Sequence, residues 1–346
     1  MIKEFSIGIY RGLKNLQLNN LRNINILVGP NNCGKTSVLE AIIFSGLFDD
    51  IDLLVDALVS RYHGFSTQHF KSLFPINHEP VICIKTQLDN DEDMLHTHLT
   101  YNQSQLISKD EAARISNMFE LSFSYGYSDA TAQNSFFVRF EEEATKYKIG
   151  IGKSPNNVLK FHIPCKFISF SRFDHSEQLT NDIDKLLDQN LRQELIDILQ
   201  IFDEKITNFE ILGKERTIKL FKGNDDAPLT LHDYGNGMYK AFYIATSALL
   251  AKDGILLIDE IEAGIHSKAL KSFIQKLVKV CSLNNVQMFL TTHSLEAIDI
   301  VLEDCFDMLD DIAVYHIKNK ENTSSARRYS GTKLLNLRNE IGFDVR

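Results

Sequence analysis

What this sequence lacks narrows it first. No apolar run approaches the ~20 residues that span a bilayer. The longest, residues 241–251, already contains Thr246 and Ser247 and runs into Lys252 and Asp253. The start, Met1-Ile2-Lys3-Glu4, has no basic-then-apolar organisation, so no secretory leader is expected there. The five cysteines, at 33, 83, 165, 281 and 305, are odd in number, scattered and never spaced C-x-x-C. That argues against a zinc site or a disulfide framework, and for a reduced, cytoplasmic protein. Positive charge is also scarce: 37 Lys and Arg against 46 Asp and Glu give a net charge of −9. A surface that coats DNA generally is therefore not expected, although a local basic groove remains compatible. There is no heptad run long enough for an extended coiled-coil arm, no internal repeat and no low-complexity linker.

What is present is a phosphate-binding loop. Residues Gly29-Pro30-Asn31-Asn32-Cys33-Gly34-Lys35-Thr36 read G-x-x-x-x-G-K-T. The apolar strand Asn25-Ile26-Leu27-Val28 precedes them, and Ser37-Val38-Leu39-Glu40-Ala41-Ile42-Ile43-Phe44 follows with helical spacing. Strand, glycine loop and helix is the context in which this pattern holds phosphate. Backbone N–H groups of Gly29, Asn31, Asn32, Cys33, Gly34 and Ser37 are placed to cradle phosphate oxygens at the positive end of the helix. Lys35 is expected on the β- and γ-phosphates of ATP, and the Thr36 hydroxyl on Mg²⁺. Cys33 occupies a loop position that only has to fit, although helix-end amides there would lower its pKa.

Two later segments complete a site. Ile255-Leu256-Leu257-Ile258-Asp259-Glu260 is a continuously apolar strand ending in two acids, as expected for a parallel strand buried on both faces. Its carboxyl end should point at ligand, with Asp259 placed to hold Mg²⁺ and Glu260 to align the attacking water. Met288-Phe289-Leu290-Thr291-Thr292-His293-Ser294 is a second such strand, and His293 at its end can donate to a γ-phosphate. Tyr234-Gly235-Asn236-Gly237-Met238 opens a helix, 239–250, that leads into the acidic strand. Gly235, Asn236 and Gly237 form a weaker candidate anion site there.

The remainder organises around these motifs. Residues 2–10 and 13–18 read as a strand pair turning at Arg11-Gly12. Strands are expected at 81–85, 136–140 and 167–170 among acidic loop tips, and 176–208 carries an apolar stripe at helical spacing. The tail reads as a strand at 312–317, a polar turn and a short helix near 332–341.

These elements, in this order, resemble the ATP-binding-cassette ATPase superfamily, well over residues 1–48 and 228–300. The loop at 29–36 resembles its Walker A motif, residues 255–260 its Walker B, and His293 its switch histidine. Residues 234–238 stand where its signature loop belongs. Tyr10-Arg11-Gly12-Leu13-Lys14-Asn15 and Asp259-Glu260-Ile261-Glu262-Ala263-Gly264-Ile265-His266 resemble the recombination-repair and overcoming-lysogenization-defect branches. Those branches include the ATPase subunits of anti-phage systems such as Septu and PARIS. Ile168-Ser169-Phe170-Ser171-Arg172 resembles a strand-and-arginine element near their nucleotide. The usual signature is Leu-Ser-Gly-Gly-Gln; here Gly235 replaces its serine and Asn236 its first glycine, so a hydroxyl is missing. Gln68 is the available Gln-loop residue and reads more simply as a surface glutamine.

The resemblance implies an α/β fold: a P-loop NTPase of cassette-head type with a mixed or parallel core sheet, an N-terminal antiparallel β lobe and an inserted helical region. One domain over 1–346 is expected, with its core from 1–48 and 228–317, a family-specific insertion at 49–165 and a helical lobe at 176–208. It implies Mg-dependent ATP binding and hydrolysis to ADP and phosphate, by a homo-oligomer that closes around ATP. The tail is too short for a nuclease domain, so a separate effector nuclease in anti-phage defence is the expected partner. A DNA-repair or chromosome-maintenance ATPase that clamps DNA directly is the alternative. A transporter subunit or small-molecule kinase fits the motifs less well, and no membrane partner is expected.

Overall fold

The computed structural model describes residues 1–45, 47, 53–54, 57, 72–74, 81–89, 91–107, 115–127, 134–143, 146–153, 163–169, 176–223, 227–320 and 323–346. Contacts gather into two compact units, one of Met1–Leu21, Asn31–Ile163 and Ile317–Arg327, the other of Arg22–Pro30, Pro164–His316 and Arg328–Arg346.

In chain order the elements begin with strands β1 (Ile2–Tyr10), β2 (Leu13–Leu18) and β3 (Ile24–Val28) and helix α1 (Lys35–Ile43). Strands β4 (Val81–Leu88), β5 (Leu95–Ile107), β6 (Ile115–Tyr127), β7 (Asn134–Glu143), β8 (Lys146–Lys153) and β9 (Cys165–Ile168) follow. Helices α2 (Ser176–Asp188) and α3 (Arg192–Leu199) lead to β10 (Asn208–Leu212), β11 (Thr217–Phe221) and β12 (Leu229–Thr230). Next come α4 (Asn236–Leu250), β13 (Ile255–Ile258), α5 (Ser267–Leu283), β14 (Gln287–Thr291) and α6 (Leu295–Asp304). The chain closes with β15 (Ile312–Lys320), β16 (Thr323–Ser330) and α7 (Gly331–Ile341).

The first unit is built on a seven-stranded sheet in the order β2-β1-β4-β5-β6-β7-β8, antiparallel throughout. Its strands alternate as a sheet with one covered face must: Phe5, Ile7, Leu16, Ile82, Ile84, Leu95, Leu99, Leu121 and Phe123 are buried. Helix α1 packs against β1. A ring contact from Tyr10 to Phe44 (centroids 5.7 Å apart) continues to Phe123 at 6.3 Å.

The second unit carries β3, β9, β13, β14 and the Ile312–His316 part of β15, which run parallel in a sheet ordered β16-β15-β3-β14-β13-β9. Every residue of β3, β13 and β14 is buried, because crossover helices cover a parallel sheet on both faces. Helix α4 packs on β9 and β13 and against α2, α3 and α5. Phe209 of the small β10-β11-β12 sheet meets Phe242 of α4 edge-to-face at 5.8 Å.

The α/β class, the parallel core sheet and the antiparallel N-terminal lobe expected from sequence are all present. Three readings need correction. The helical stretch assigned to 176–208 ends at Leu199, and Asn190 breaks it into two helices with a left-handed φ of 61°. The insertion holds more strand than the sequence predicts, since β5, β6 and β8 lie there as well. The polar turn expected before the last helix is itself a strand, β16.

Candidate functional site

The core sheet's register decides where its strand ends lie. Leu27 of β3 pairs with Thr291 of β14, and Leu290 pairs with Ile258 of β13. The strands are parallel, so Val28, Thr292 and Asp259 leave the sheet at one edge. The Thr292 N–H also donates to the Leu27 carbonyl at 3.3 Å. The residue that opens the phosphate loop, Gly29, therefore stands beside the ends that carry the acids and the histidine. This is the carboxyl edge at which open α/β sheets bind ligands.

The loop's backbone turns repeatedly through positive φ. Gly29, Asn32 and Gly34 take positive φ values of 142°, 62° and 102°. Gly34 is required twice over: its φ disfavours any side chain, and a Cβ there would overlap Leu13 Cδ2. Helix α1 starts at Lys35, with Asn31 and Asn32 exposed, Thr36 half-buried, and Cys33, Lys35 and Ser37 buried. Burial pushes the Cys33 thiol up, against the neighbouring Lys35 charge.

The acidic turn is tightly specified. Asp259 is 9% exposed, and its Oδ1 accepts from the Thr291 hydroxyl at 2.6 Å. The Glu260 N–H donates to that same hydroxyl oxygen at 2.8 Å. Glu260 adopts a left-handed φ of 50° and leaves its side chain exposed. A non-glycine residue in that region marks a constrained backbone. Glu262 Oε1 accepts from the His293 N–H at 2.8 Å, and Arg346 donates to the His293 carbonyl at 3.2 Å. His293 itself is half-buried, and Ser294 caps α6 by accepting from the Ala297 N–H at 3.2 Å.

The glycine loop before α4 is fixed by a capping box between Thr230 and Asp233. Gly235 caps α4 with a φ of 90°, and Gly235 and Asn236 are exposed. Gly237 is different: a Cβ there would overlap the carbonyl oxygen of Gly264. Its glycine serves close packing of α4 on the turn after the acids.

Sequence reading passed over Lys240, Thr291 and Glu262 as working residues. Lys240, on α4, is 5% exposed, and its Nζ donates to the Glu260 carbonyl and, at 3.1 Å, to that of Ala263. Burial pulls its pKa down to about 7 even though Glu262, Glu260 and Asp259 oppose the shift. The available signal was a lone lysine inside an otherwise apolar helix. Arg172 and Gln68 lie outside the described residues.

Taken singly, Asp259 carries a carboxylate and Thr36 a hydroxyl, each a hard oxygen donor of the kind Mg²⁺ takes. Among the described residues no group of three His, Cys, Asp or Glu gathers for a metal, and a cation held largely by substrate phosphates needs none. Among the described residues, no helix is long and apolar enough to cross a membrane.

The chain is similar to several known proteins. An uncharacterized protein of Methanocaldococcus jannaschii, MJECL11, is 38% identical over 113 residues, covering 32% of this chain and 98% of that protein. An ATP/GTP phosphatase of Helicobacter pylori is 23% identical over 349 residues, 87% of each chain. Among solved structures, an Smc head bound to the C-winged helix domain of ScpA aligns with a TM-score of 0.49 at 11% identity, covering 97% of this chain and 99% of that one. The SMC head domain from Thermotoga maritima aligns with 0.41 at 12%, covering 95% and 99%. A family model matches residues 124–299, which include the glycine loop before α4, the acidic turn and His293. With half its length matched, the chain belongs to the family described as "AAA domain, putative AbiEii toxin, Type IV TA system", an AAA-type ATPase domain.

Proposed function

We propose that this chain is an ATP-hydrolysing switch: it binds Mg-ATP, closes with a second copy around it, and controls a separate nuclease in prokaryotic anti-phage defence. The observation that carries the ATPase part is the shared sheet edge. The strand feeding the phosphate loop, the strand ending in Asp259-Glu260 and the strand ending in His293 are hydrogen-bonded neighbours ending level. The description of the Helicobacter pylori relative as an ATP/GTP phosphatase supports nucleotide hydrolysis.

The residues divide the work by position. The loop amides and Lys35 bind the phosphates and stabilise charge on the transferred group. Thr36 and Asp259 would hold Mg²⁺, which when bound would neutralise phosphate charge. Glu260, exposed at the edge, aligns and deprotonates the attacking water. His293 steadies the γ-phosphate through its ring. The Gly235 N–H is taken up by the His232 carbonyl at 3.0 Å, so exposed Asn236 is left to offer its amide to a second copy's nucleotide in place of the missing hydroxyl.

The test is the native mass of Glu260→Gln protein, purified from its own host, with and without Mg-ATP. The switch reading expects an ATP-dependent doubling and a co-purifying nuclease. An unchanged mass with no partner would overturn it. Salt-sensitive, ATP-dependent DNA binding by the chain alone would instead favour a DNA-clamping ATPase.

A further inference from the structure

The Thr291 hydroxyl serves both acids of the Asp259-Glu260 turn. A threonine hydroxyl has one proton to give and two lone pairs to receive. Here one lone pair takes the Glu260 N–H at 2.8 Å, and the single proton goes to Asp259 Oδ1 at 2.6 Å. That separation lies in the range of a charge-assisted bond from a hydroxyl to a carboxylate. Thr291 is completely buried at the last position of β14, so its χ1 is fixed by a packed, β-branched environment. The Thr291 carbonyl also accepts from the Ile261 N–H at 3.2 Å. One residue thus bonds to three consecutive residues of the neighbouring turn: the side chain of Asp259 and the backbones of Glu260 and Ile261.

We infer that Thr291 is a positioning residue that sets the metal-binding carboxylate and the water-aligning acid as one unit. The bond to Asp259 Oδ1 selects the carboxylate rotamer presented at the sheet edge. The bond from the Glu260 amide holds that residue at its left-handed φ of 50°, which directs the Glu260 side chain out from the edge. Without the hydroxyl, β14 would still pack, because valine has the same shape, but Asp259 and Glu260 would lose their common anchor. This inference rests on the ATPase reading of the site.

The experiment compares wild type with Thr291→Val, which keeps the shape and removes the hydroxyl, and Thr291→Ser, which keeps the hydroxyl. ATP affinity is measured by calorimetry in EDTA and in Mg²⁺, Mn²⁺ binding by electron paramagnetic resonance, and turnover in steady state. For Thr291→Val, ATP affinity in EDTA stays within about 2-fold while Mn²⁺ affinity and turnover each fall about 10–100-fold, the usual cost of losing an outer partner of a metal ligand. Thr291→Ser stays within about 3-fold of wild type in all three. Wild-type Mn²⁺ affinity and turnover in Thr291→Val, or equal damage in Thr291→Ser, would overturn the inference and leave the ATPase reading standing. A wild type that binds no ATP in Mg²⁺ would overturn both. Should Thr291→Val fail to fold, Thr291→Ala supplies the hydroxyl-free variant with the same expectations.

Discussion

Gly237 lies so close to Gly264 that a Cβ at 237 would overlap the Gly264 carbonyl oxygen. The start of α4 and the turn after Asp259-Glu260 are therefore in backbone contact, with no side chain between them. Gly237→Ala is expected to lower unfolding free energy by about 1–3 kcal/mol, the usual cost of overpacking a close contact. Denaturant unfolding checks this, and an unchanged midpoint would mean that the contact yields freely.

Lys240 ties the same two segments together from the side-chain direction, through the Glu260 and Ala263 carbonyls. Its folded pKa of about 7 lies below the ordinary lysine value. Between those two values the unfolded chain holds a proton that the folded chain lacks, so stability rises with pH. Wild type should gain up to about 1.4 kcal/mol per pH unit relative to Lys240→Met across that window. The gain should vanish below pH 7, where both states are protonated. Chemical unfolding of both proteins from pH 6 to 10 measures it, and parallel curves would contradict the assignment.

Glu40, fully buried on α1, accepts from the Tyr10 hydroxyl at 2.9 Å and pairs with Arg11 Nε at 3.0 Å. The helix that carries Lys35 and Thr36 is thereby fastened to the end of β1. Breaking a buried pair from one side strands the other charge, so Glu40→Ala should cost about 3–5 kcal/mol. Urea unfolding of the variant tests this, and a loss below ~1 kcal/mol, the range of an exposed pair, would argue against it.

The parts of the candidate site that are legible in the sequence are those whose proposed chemistry calls for fixed residue types at fixed spacing. The loop at 29–36 needs glycines where φ is positive and Lys-Thr at the helix start, and the structure has Gly34 at 102° with α1 beginning at Lys35. Strands β13 and β14 announced themselves because burial on both faces leaves an unbroken apolar run. The β1–β2 hairpin was legible from alternation and its Arg11-Gly12 turn, and the structure gives the same bounds.

The rest was hidden for physical reasons. Strand β5 mixes His96, Thr97 and His98 among its apolar residues, and Thr97 is buried because its hydroxyl donates to the Ser45 carbonyl at 2.6 Å. A polar residue satisfied by a distant carbonyl breaks the pattern that marks a strand. Thr291 and Lys240 matter through partners 31 or 32 and 20 or 23 residues away, and no local spacing encodes those partners. Nor can the sequence show that the Gly264 carbonyl passes over Gly237.

The central claim is that the phosphate loop binds ATP while Glu260 serves hydrolysis, and it separates cleanly into two numbers. Equilibrium binding of Mg-ATP and single-turnover hydrolysis should be measured side by side on wild type, Lys35→Ala and Glu260→Gln. The account predicts no binding by Lys35→Ala, and near wild-type binding with at least a ~100-fold slower hydrolysis in Glu260→Gln. Equal loss of binding in both variants, or undiminished hydrolysis in Glu260→Gln, would contradict it.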